Sequence, residues 1–412
     1  MKQSPFPHYT RRATAAVIVS CIAAVGLSSC SVHESPSGGA AAEEDTIVVG
    51  LVTSTTGPYA TQGESFINGF EAGLDYITDG TGIVAGHKID VRIANDNGEP
   101  ATGTAAARDL MGANAKFLIG PTNSAVAVAV SDIAVTNGGT YIAGASGTSE
   151  LLGKDHNIFV TGSGSWMPNE AIFAQAGDAT QIALISQDYQ YGQDQTALLT
   201  ELGEARGVGV ESLLLPSNTQ DFTGGVLQVK QFNADMLYVG WQGDGTAQLY
   251  QALSDQGIYD TTKVVTLLTS RPAVPSFLAA AGARASETVA LTPYFEGAAG
   301  GNDAEKAMIA YAKKTGVVVD YAHPQGFNAA LMIQRAIAET GGLLEQDTVA
   351  AALEGWSFDS PLGSITIRAE DHLLTVPMYS VQYSVSGDDV SAKVLETFSG
   401  EALAPSVTRA LQ

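Results

Sequence analysis

Apolar residues in this chain alternate between two rhythms. Ile47-Val48-Val49-Gly50-Leu51-Val52 is a continuous run of buried-strand character, and Phe66, Phe70, Leu74 and Ile77 then recur at helical spacing. Ile89-Asp90-Val91-Arg92-Ile93 alternates as a strand does, and Ala101 to Met111 reads as a helix. Phe117-Leu118-Ile119 and Tyr141-Ile142-Ala143 are strand runs on either side of a helix from Ser124 to Val135. After Gly162-Ser163-Gly164 the rhythm restarts, with Ile182 to Ile185, Met236 to Val239 and Val264 to Leu267 as central strands. Strands separated by helices imply parallel sheets built from right-handed βαβ units. Two such series predict an α/β fold of two doubly wound parallel-sheet lobes. The end of the chain differs. Ala304 to Lys314 and Gln325 to Thr340 are helical. Gly363 to Arg368, Met378 to Val385 and Val390 to Thr397 alternate as antiparallel strands, with Ser386-Gly387-Asp388 as the turn.

The first 45 residues fit neither rhythm. Lys2, Arg11 and Arg12 precede an apolar stretch from Ala13 to Leu27, and Leu27-Ser28-Ser29-Cys30 follows. A charged segment, a short apolar segment and small residues form the layout of a signal peptide, too short for a comfortable membrane span. The end of it resembles a bacterial lipobox, which implies removal of residues 1–29 and acylation of Cys30. Cys21 lies inside the apolar stretch and lacks the preceding small residues. Residues 31–45, rich in Ser, Gly, Ala and Glu, are expected to form a flexible tether. No later stretch is long enough to cross a bilayer.

Charge and chemistry narrow the function classes. The chain has 20 basic and 43 acidic residues, a formal charge of −23, and losing the three basic residues of the leader makes the body more acidic still. Such a chain repels nucleic acid and anionic surfaces. With Cys30 acylated the body has no cysteine, so it holds no disulfide, thiolate zinc site or cysteine nucleophile. The six histidines do not pair at metal-ligand spacing in sequence, and neither a Gly-x-Ser-x-Gly elbow nor a His-Glu-x-x-His motif is present. The expectation is a protein that is not an enzyme and carries no cofactor or metal.

In open α/β sheets, ligands bind outside the carboxyl ends of the strands. Those ends are Thr53 to Thr56, Gly120 to Ser124, Gly144 to Thr148, Asp188 to Tyr191, Gly240 to Gln242 and Thr269 to Arg271. Gly120-Pro121-Thr122-Asn123-Ser124 feeds a helix, whose free N–H groups suit a carboxylate. Asn123 and Ser124 are equally apt to cap that helix.

Val49 to Val52, Thr56-Gly57-Pro58 to Gly63, Gly82 to Ile89, Asp96, Pro100-Ala101, Phe117 to Pro121, Tyr189, Tyr191-Gly192 and Asp371-His372 follow one another in a distinctive order. That order resembles the branched-chain amino acid (Leu/Ile/Val) binding proteins, type I periplasmic binding proteins that serve ABC importers. It implies three hinge crossings, near Gly162, Pro293 and Pro361. Residues 46–162 plus 293–361 then form lobe 1, and residues 163–292 plus 362–412 form lobe 2. It implies Ser124 as a carboxylate ligand and a loop holding the ammonium and carboxylate at Ala145, Ser146 or Thr148. Tyr191 would face the cleft from lobe 2, or simply pack. Gln62, Asn123, Trp241, Gln242, Ser270 and Arg271 complete the candidates. The acidic partner that the family sets against an α-ammonium falls near Ser270, and no acid stands there. Arg271 is open between meeting a second anionic group and being a solvated loop residue.

The expected function is capture of a small amino acid or related solute in the inter-lobe cleft and its delivery to ABC permease subunits. The protein is expected to be a monomer, anchored to the extracytoplasmic face by lipid. Two alternatives stand beside this: a sensory receptor of the same fold, and a binder of amides, urea-like solutes or aromatic carboxylates.

Overall fold

The computed structural model describes residues 46–242, 245–268, 271–386, 389–407 and 410–411. Cys30, the leader, the tether, Thr269, Ser270 and the Gly387-Asp388 turn lie outside the described residues.

The chain begins with β1 (Thr46–Thr53), α1 (Ala60–Thr78), β2 (Ile83–Val84), β3 (His87–Asn95), α2 (Pro100–Gly112), β4 (Ala115–Ile119), α3 (Ser124–Thr136), β5 (Thr140–Ala143) and β6 (Ile158–Val160). These strands form one sheet in the order β2-β3-β1-β4-β5-β6, parallel except for β2. The near-continuous apolar runs have the physical cause the sequence suggested. Val49, Leu51, Val52, Phe117, Leu118 and Ile142 are covered on both faces and have no exposed surface.

The second series runs through α4 (Trp166–Ala176), β7 (Gln181–Gln187), α5 (Gln190–Arg206), β8 (Gly209–Leu215), α6 (Thr223–Gln231), β9 (Met236–Val239), α7 (Thr246–Asp255), β10 (Lys263–Leu267), α8 (Val274–Ala281) and β11 (Thr288–Thr292). The chain then returns to the first sheet as α9 (Asp303–Thr315), α10 (Ala322–Thr340) and α11 (Gln346–Leu353). α10 packs along α1. Phe66, Phe70 and Phe327 are buried at that contact, and Asn68 Nδ2 donates to Thr315 Oγ1 at 2.8 Å.

A small antiparallel sheet follows, of β12 (Ser357–Ser360), β13 (Gly363–Ile367) and β14 (Leu374–Thr375). Finally β15 (Met378–Ser386), β16 (Asp389–Phe398) and the short α12 (Gly400–Leu403) close the chain. β15 pairs antiparallel with β11, giving a second sheet in the order β16-β15-β11-β10-β9-β7-β8. The protein therefore has two parallel-dominated sheets with helices packed on their faces, as the hydrophobic pattern predicts.

The chain leaves the first sheet after Val160 and leaves the second after Thr292. The last passage differs from the expectation at Pro361. Asp371 O accepts from Gly153 N at 3.0 Å, His372 Nδ1 meets Ile158 O at 2.8 Å, and the His372 ring stacks on Phe159 at 4.0 Å. These contacts seat residues 357–375 on the first lobe. We therefore place the third crossing at Val376-Pro377, just before β15 joins the second sheet. The sequence misplaced it because antiparallel alternation alone does not say which sheet a strand joins.

Candidate functional site

The carboxyl ends of the two sheets face each other across a cleft of roughly 380 Å³, within the usual range for a small-molecule site. Lobe 1 forms its wall from two chain reversals. The first joins β4 to α3. Here Asn123 is the cap: its Oδ1 accepts from Val126 N at 3.1 Å. Ser124 is the first helical residue, and its hydroxyl is not spent on capping. Tyr141 OH donates to Gly120 O at 2.6 Å and holds the turn from beneath. Val126 N is taken by the cap, while the N–H groups of Ser124 and Ala125 have no partner within the helix, and Asn123 and Ser124 line the cleft at this end of α3. The second reversal follows β5 and brings Ala145, Ser146 and Gly147 to the wall. A Cβ on Gly144 would lie 2.7 Å from Pro121 O, so the two reversals are locked against each other only because residue 144 is glycine.

Lobe 2 answers with longer side chains. Gln187, at the end of β7, uses its amide on the backbone of Gln242: Oε1 accepts from Gln242 N at 3.2 Å and Nε2 donates to Gln242 O. Tyr189 and Tyr191 follow, their rings 6.0 Å apart. Burial pushes both phenols well above their ordinary pKa, so both are neutral hydroxyls at physiological pH. The Tyr191 ring lies directly under Gly147, where an added Cβ would approach it to 2.7 Å. The lobes also touch beside the cleft. Ser149 N donates to Asp194 Oδ2 at 3.3 Å, Gln190 Nε2 to Glu150 Oε1 at 2.7 Å, and Arg271 N to Asp320 Oδ1 at 3.0 Å.

Of the residues singled out from sequence, the structure brings Gln62, Asn123, Ser124, Ala145, Ser146, Tyr191 and Gln242 together around the cleft. It does not bring Thr148, Trp241 or Arg271 there. Thr148 is buried, and its Oγ1 accepts from Glu150 N at 3.2 Å, which fixes the loop. Trp241 is 2% exposed and packs edge-on against Phe222 at 4.8 Å in the core beneath α6 and α7. Successive residues at a strand end point to opposite faces, so Gln242 reaches the cleft and Trp241 the core. Arg271 pairs with Glu296 at 3.0 Å.

The sequence reading missed Tyr59, Gln187, Tyr321 and Gln325, which also line the cleft, and it named Thr122 and Tyr189 only as parts of strand ends, not as single candidates. Tyr59 and Tyr189 stood inside or beside matched segments and were open to discovery. Tyr321 and Gln325 come from the start of α10, which only the chain's return to lobe 1 places there. Among the described residues, no side chain that is charged at neutral pH lines the cleft; four tyrosines do. Gln62 Oε1, Thr122 Oγ1 and Ser146 Oγ are buried at this wall with no protein partner, an arrangement that leaves hydrogen-bonding capacity for a solute.

Comparison with known proteins agrees with this geometry. The model of the family described as "Periplasmic binding protein" matches residues 46–389. A Leu/Ile/Val-binding protein homolog 3 of Brucella melitensis is 25% identical over 346 residues, covering 81% of this chain and 90% of that protein. The Leu/Ile/Val-binding protein BraC3 of Rhizobium johnstonii is 27% identical over 201 residues, and there the match spans about half of the relative, 54%. Among solved structures, the closed conformation of a leucine-, isoleucine-, valine-, threonine- and alanine-binding protein from Brucella ovis aligns with a TM-score of 0.77 at 20% identity, over 89% of this chain and 99% of the other. A solute-binding protein of an ABC transporter from R. palustris, in complex with 4-hydroxybenzoate, aligns with a TM-score of 0.75 at 23% identity, over 86% and 97%. Two lobes, a cleft between facing strand ends and a family match over most of the chain lead to one assignment: this chain belongs to the periplasmic binding protein family, with the type I fold of ABC-transporter solute-binding proteins.

Proposed function

We propose that the protein captures a small carboxylate with a flat apolar body, such as a hydroxybenzoate, and presents it to the permease of an ABC importer. The observation that carries this reading is the lining of the cleft. The α3 N-terminus with Ser124 and Ser146 offers donors to one anionic group. Tyr59, Tyr189, Tyr191 and Tyr321 supply ring faces and neutral hydroxyls around the rest. An α-ammonium asks for a carboxylate, and among the described residues none lines the cleft. The relatives named for leucine, isoleucine and valine favour a second reading, a zwitterionic amino acid, which would take its ammonium contacts from the Ala145 carbonyl region and tyrosine hydroxyls.

In this account binding shifts the two lobes toward their closed arrangement, and no covalent chemistry takes place. Cys30 carries the acyl chains, residues 31–45 act as a tether, and the body works as a monomer outside the cytoplasm. Among the described residues no helix is long and apolar enough to cross a membrane. Calorimetric titration of residues 31–412 with 4-hydroxybenzoate, benzoate, leucine, valine and acetamide tests the reading. Saturable binding of an aromatic acid, with leucine and valine inert, is expected. Binding of the amino acids alone, or of none of the panel, overturns it. Metabolic labelling with palmitate, lost in Cys30→Ser, tests the anchor.

A further inference from the structure

The histidines show no metal spacing in sequence, yet folding gathers two of them around one carboxylate. His156 lies in the loop before β6, Glu354 caps the end of α11, and His372 stands in the turn between β13 and β14. Glu354 Oε1 is 3.1 Å from His156 Nδ1 and 3.2 Å from His372 Nε2. The three donor atoms lie within 4.8 Å of one another. The cluster sits by the amino end of β6 and shares no residue with the solute cleft.

Three features set this apart from a surface ion pair. His372 is 1% exposed and is held in the left-handed backbone region, φ +60°, which a non-glycine residue rarely adopts. Its turn is fixed by a two-point pairing of Arg368 with Asp371, 2.8 Å from Nε to Oδ1 and 2.5 Å from Nη2 to Oδ2. Its Nδ1 meets the Ile158 carbonyl at 2.8 Å. A carbonyl only accepts, so the proton of neutral His372 is on Nδ1. The lone pair on Nε2 then points at a carboxylate oxygen, and two electron-rich atoms 3.2 Å apart want a cation between them. An imidazole whose second nitrogen is held by a backbone carbonyl is the usual outer arrangement of a metal-bound histidine.

The spacing suits the ion as well. Ligands about 2.0–2.2 Å from a tetrahedral zinc lie roughly 3.3 Å from one another, close to the two N···O separations of 3.1 and 3.2 Å. The exposed His156 ring is free to adjust the third. Two imidazoles and a carboxylate suit zinc and its neighbours rather than calcium or magnesium.

We propose that His156, Glu354 and His372 form a zinc-binding site on lobe 1, with water as the fourth ligand, separate from the solute cleft. Bound zinc would cross-link the edge strand of the first sheet, the end of α11 and the turn leading to the third crossing.

The test uses tag-free residues 31–412, stripped with chelator and titrated with ZnCl₂ at neutral pH. One saturable equivalent and a raised melting temperature are expected, with neither produced by MgCl₂ or CaCl₂. CoCl₂ should give the visible bands of a four-coordinate site. His156→Ala removes an exposed side chain and should leave the metal-free melting temperature unchanged. It should weaken zinc at least tenfold, and Glu354→Gln should do the same. Absence of a saturable equivalent in the parent protein, or parent-like zinc affinity in His156→Ala, overturns the proposal. So does a melting temperature that responds to pH across the histidine range but not to zinc, which would mark a shared proton instead of a metal.

Discussion

The two walls of the cleft obey the same strand-end rule but are made of different material. Lobe 1 offers backbone and small residues where its two reversals meet, the α3 N-terminus, Ser124, Ala145, Ser146 and Gly147, locked in place where Gly144 meets Pro121, and it adds the longer side chains of Tyr59, Gln62, Tyr321 and Gln325 from the starts of α1 and α10. Lobe 2 offers reach: Gln187, Tyr189, Tyr191 and Gln242 extend from their strand ends into the space. The reversals of the first wall are tightly packed at Gly144 and suit a fixed group such as a carboxylate. The second presents side chains with rotatable bonds, which, with the tyrosines of lobe 1, suit the variable body of a solute. Affinity for the anionic end should therefore depend on the two reversals of lobe 1, and selectivity for the body on the long side chains, Tyr59 and Tyr321 of lobe 1 together with Tyr189, Tyr191 and Gln242 of lobe 2.

The largest expected effect contrasts two neighbours on lobe 2. Trp241→Ala empties a packed core and should cost about 3–5 kcal/mol of stability, read by denaturant unfolding. Gln242→Ala should leave stability nearly unchanged and alter solute selectivity. If Trp241→Ala were stable and lost binding instead, the assignment of the core and cleft faces would be reversed.

Next comes His323, whose ring is buried at the start of α10. Loss of water lowers its pKa to about 4, against 6.5 in the unfolded chain. Between those values the unfolded state binds the extra proton, so this residue makes stability fall as pH drops from 6.5 to 4. A shift of that size corresponds to a loss of up to about 3 kcal/mol. His323→Gln should flatten the slope in that window in urea titrations at several pH values, and an unchanged slope would remove His323 as its source.

On lobe 1, Ser124→Ala should weaken a bound carboxylate by about 1–3 kcal/mol while leaving the fold intact, because Asn123 does the capping. Unchanged affinity for 4-hydroxybenzoate would remove Ser124 from the site. Gly144→Ala should destabilise by a similar 1–3 kcal/mol through overpacking, and it tests whether this wall is as rigid as its contacts imply. Smallest is Tyr191→Phe, which keeps the ring and removes one hydroxyl. We expect about 1 kcal/mol in affinity, and a change in the ranking of hydroxylated against plain benzoates.

Most of the fold was legible because sheets covered on both faces demand unbroken apolar strands. Ile47–Val52, Phe117–Ile119 and Ile182–Ile185 could be little else. The cleft was legible as far as strand ends go, which is why Ser124, Ser146 and Gln242 were found. It failed where a one-residue alternation decides the face, as at Trp241, and where a loop consumes its own hydroxyl, as at Thr148. Tyr321 and Gln325 were invisible because nothing local tells a helix 160 or more residues downstream of the first sheet that it will return to it. The His156–Glu354–His372 cluster was hidden for the same reason. His156 and His372 are metal-like neighbours only in three dimensions.

Where Gly147 meets the Tyr191 ring there is no room even for a methyl group. In the closure proposed above, the glycine hydrogen would act as a calliper between the jaws at this point. A solute that fits within that gap would let them meet, and a longer one would hold them ajar. A permease that recognises only the fully shut form would then reject oversized compounds that the cleft still binds. Gly147→Ala should mimic such a wedge: small-angle X-ray scattering of the saturated variant should show a larger radius of gyration than the saturated parent. Identical radii would mean that the jaws are stopped somewhere else.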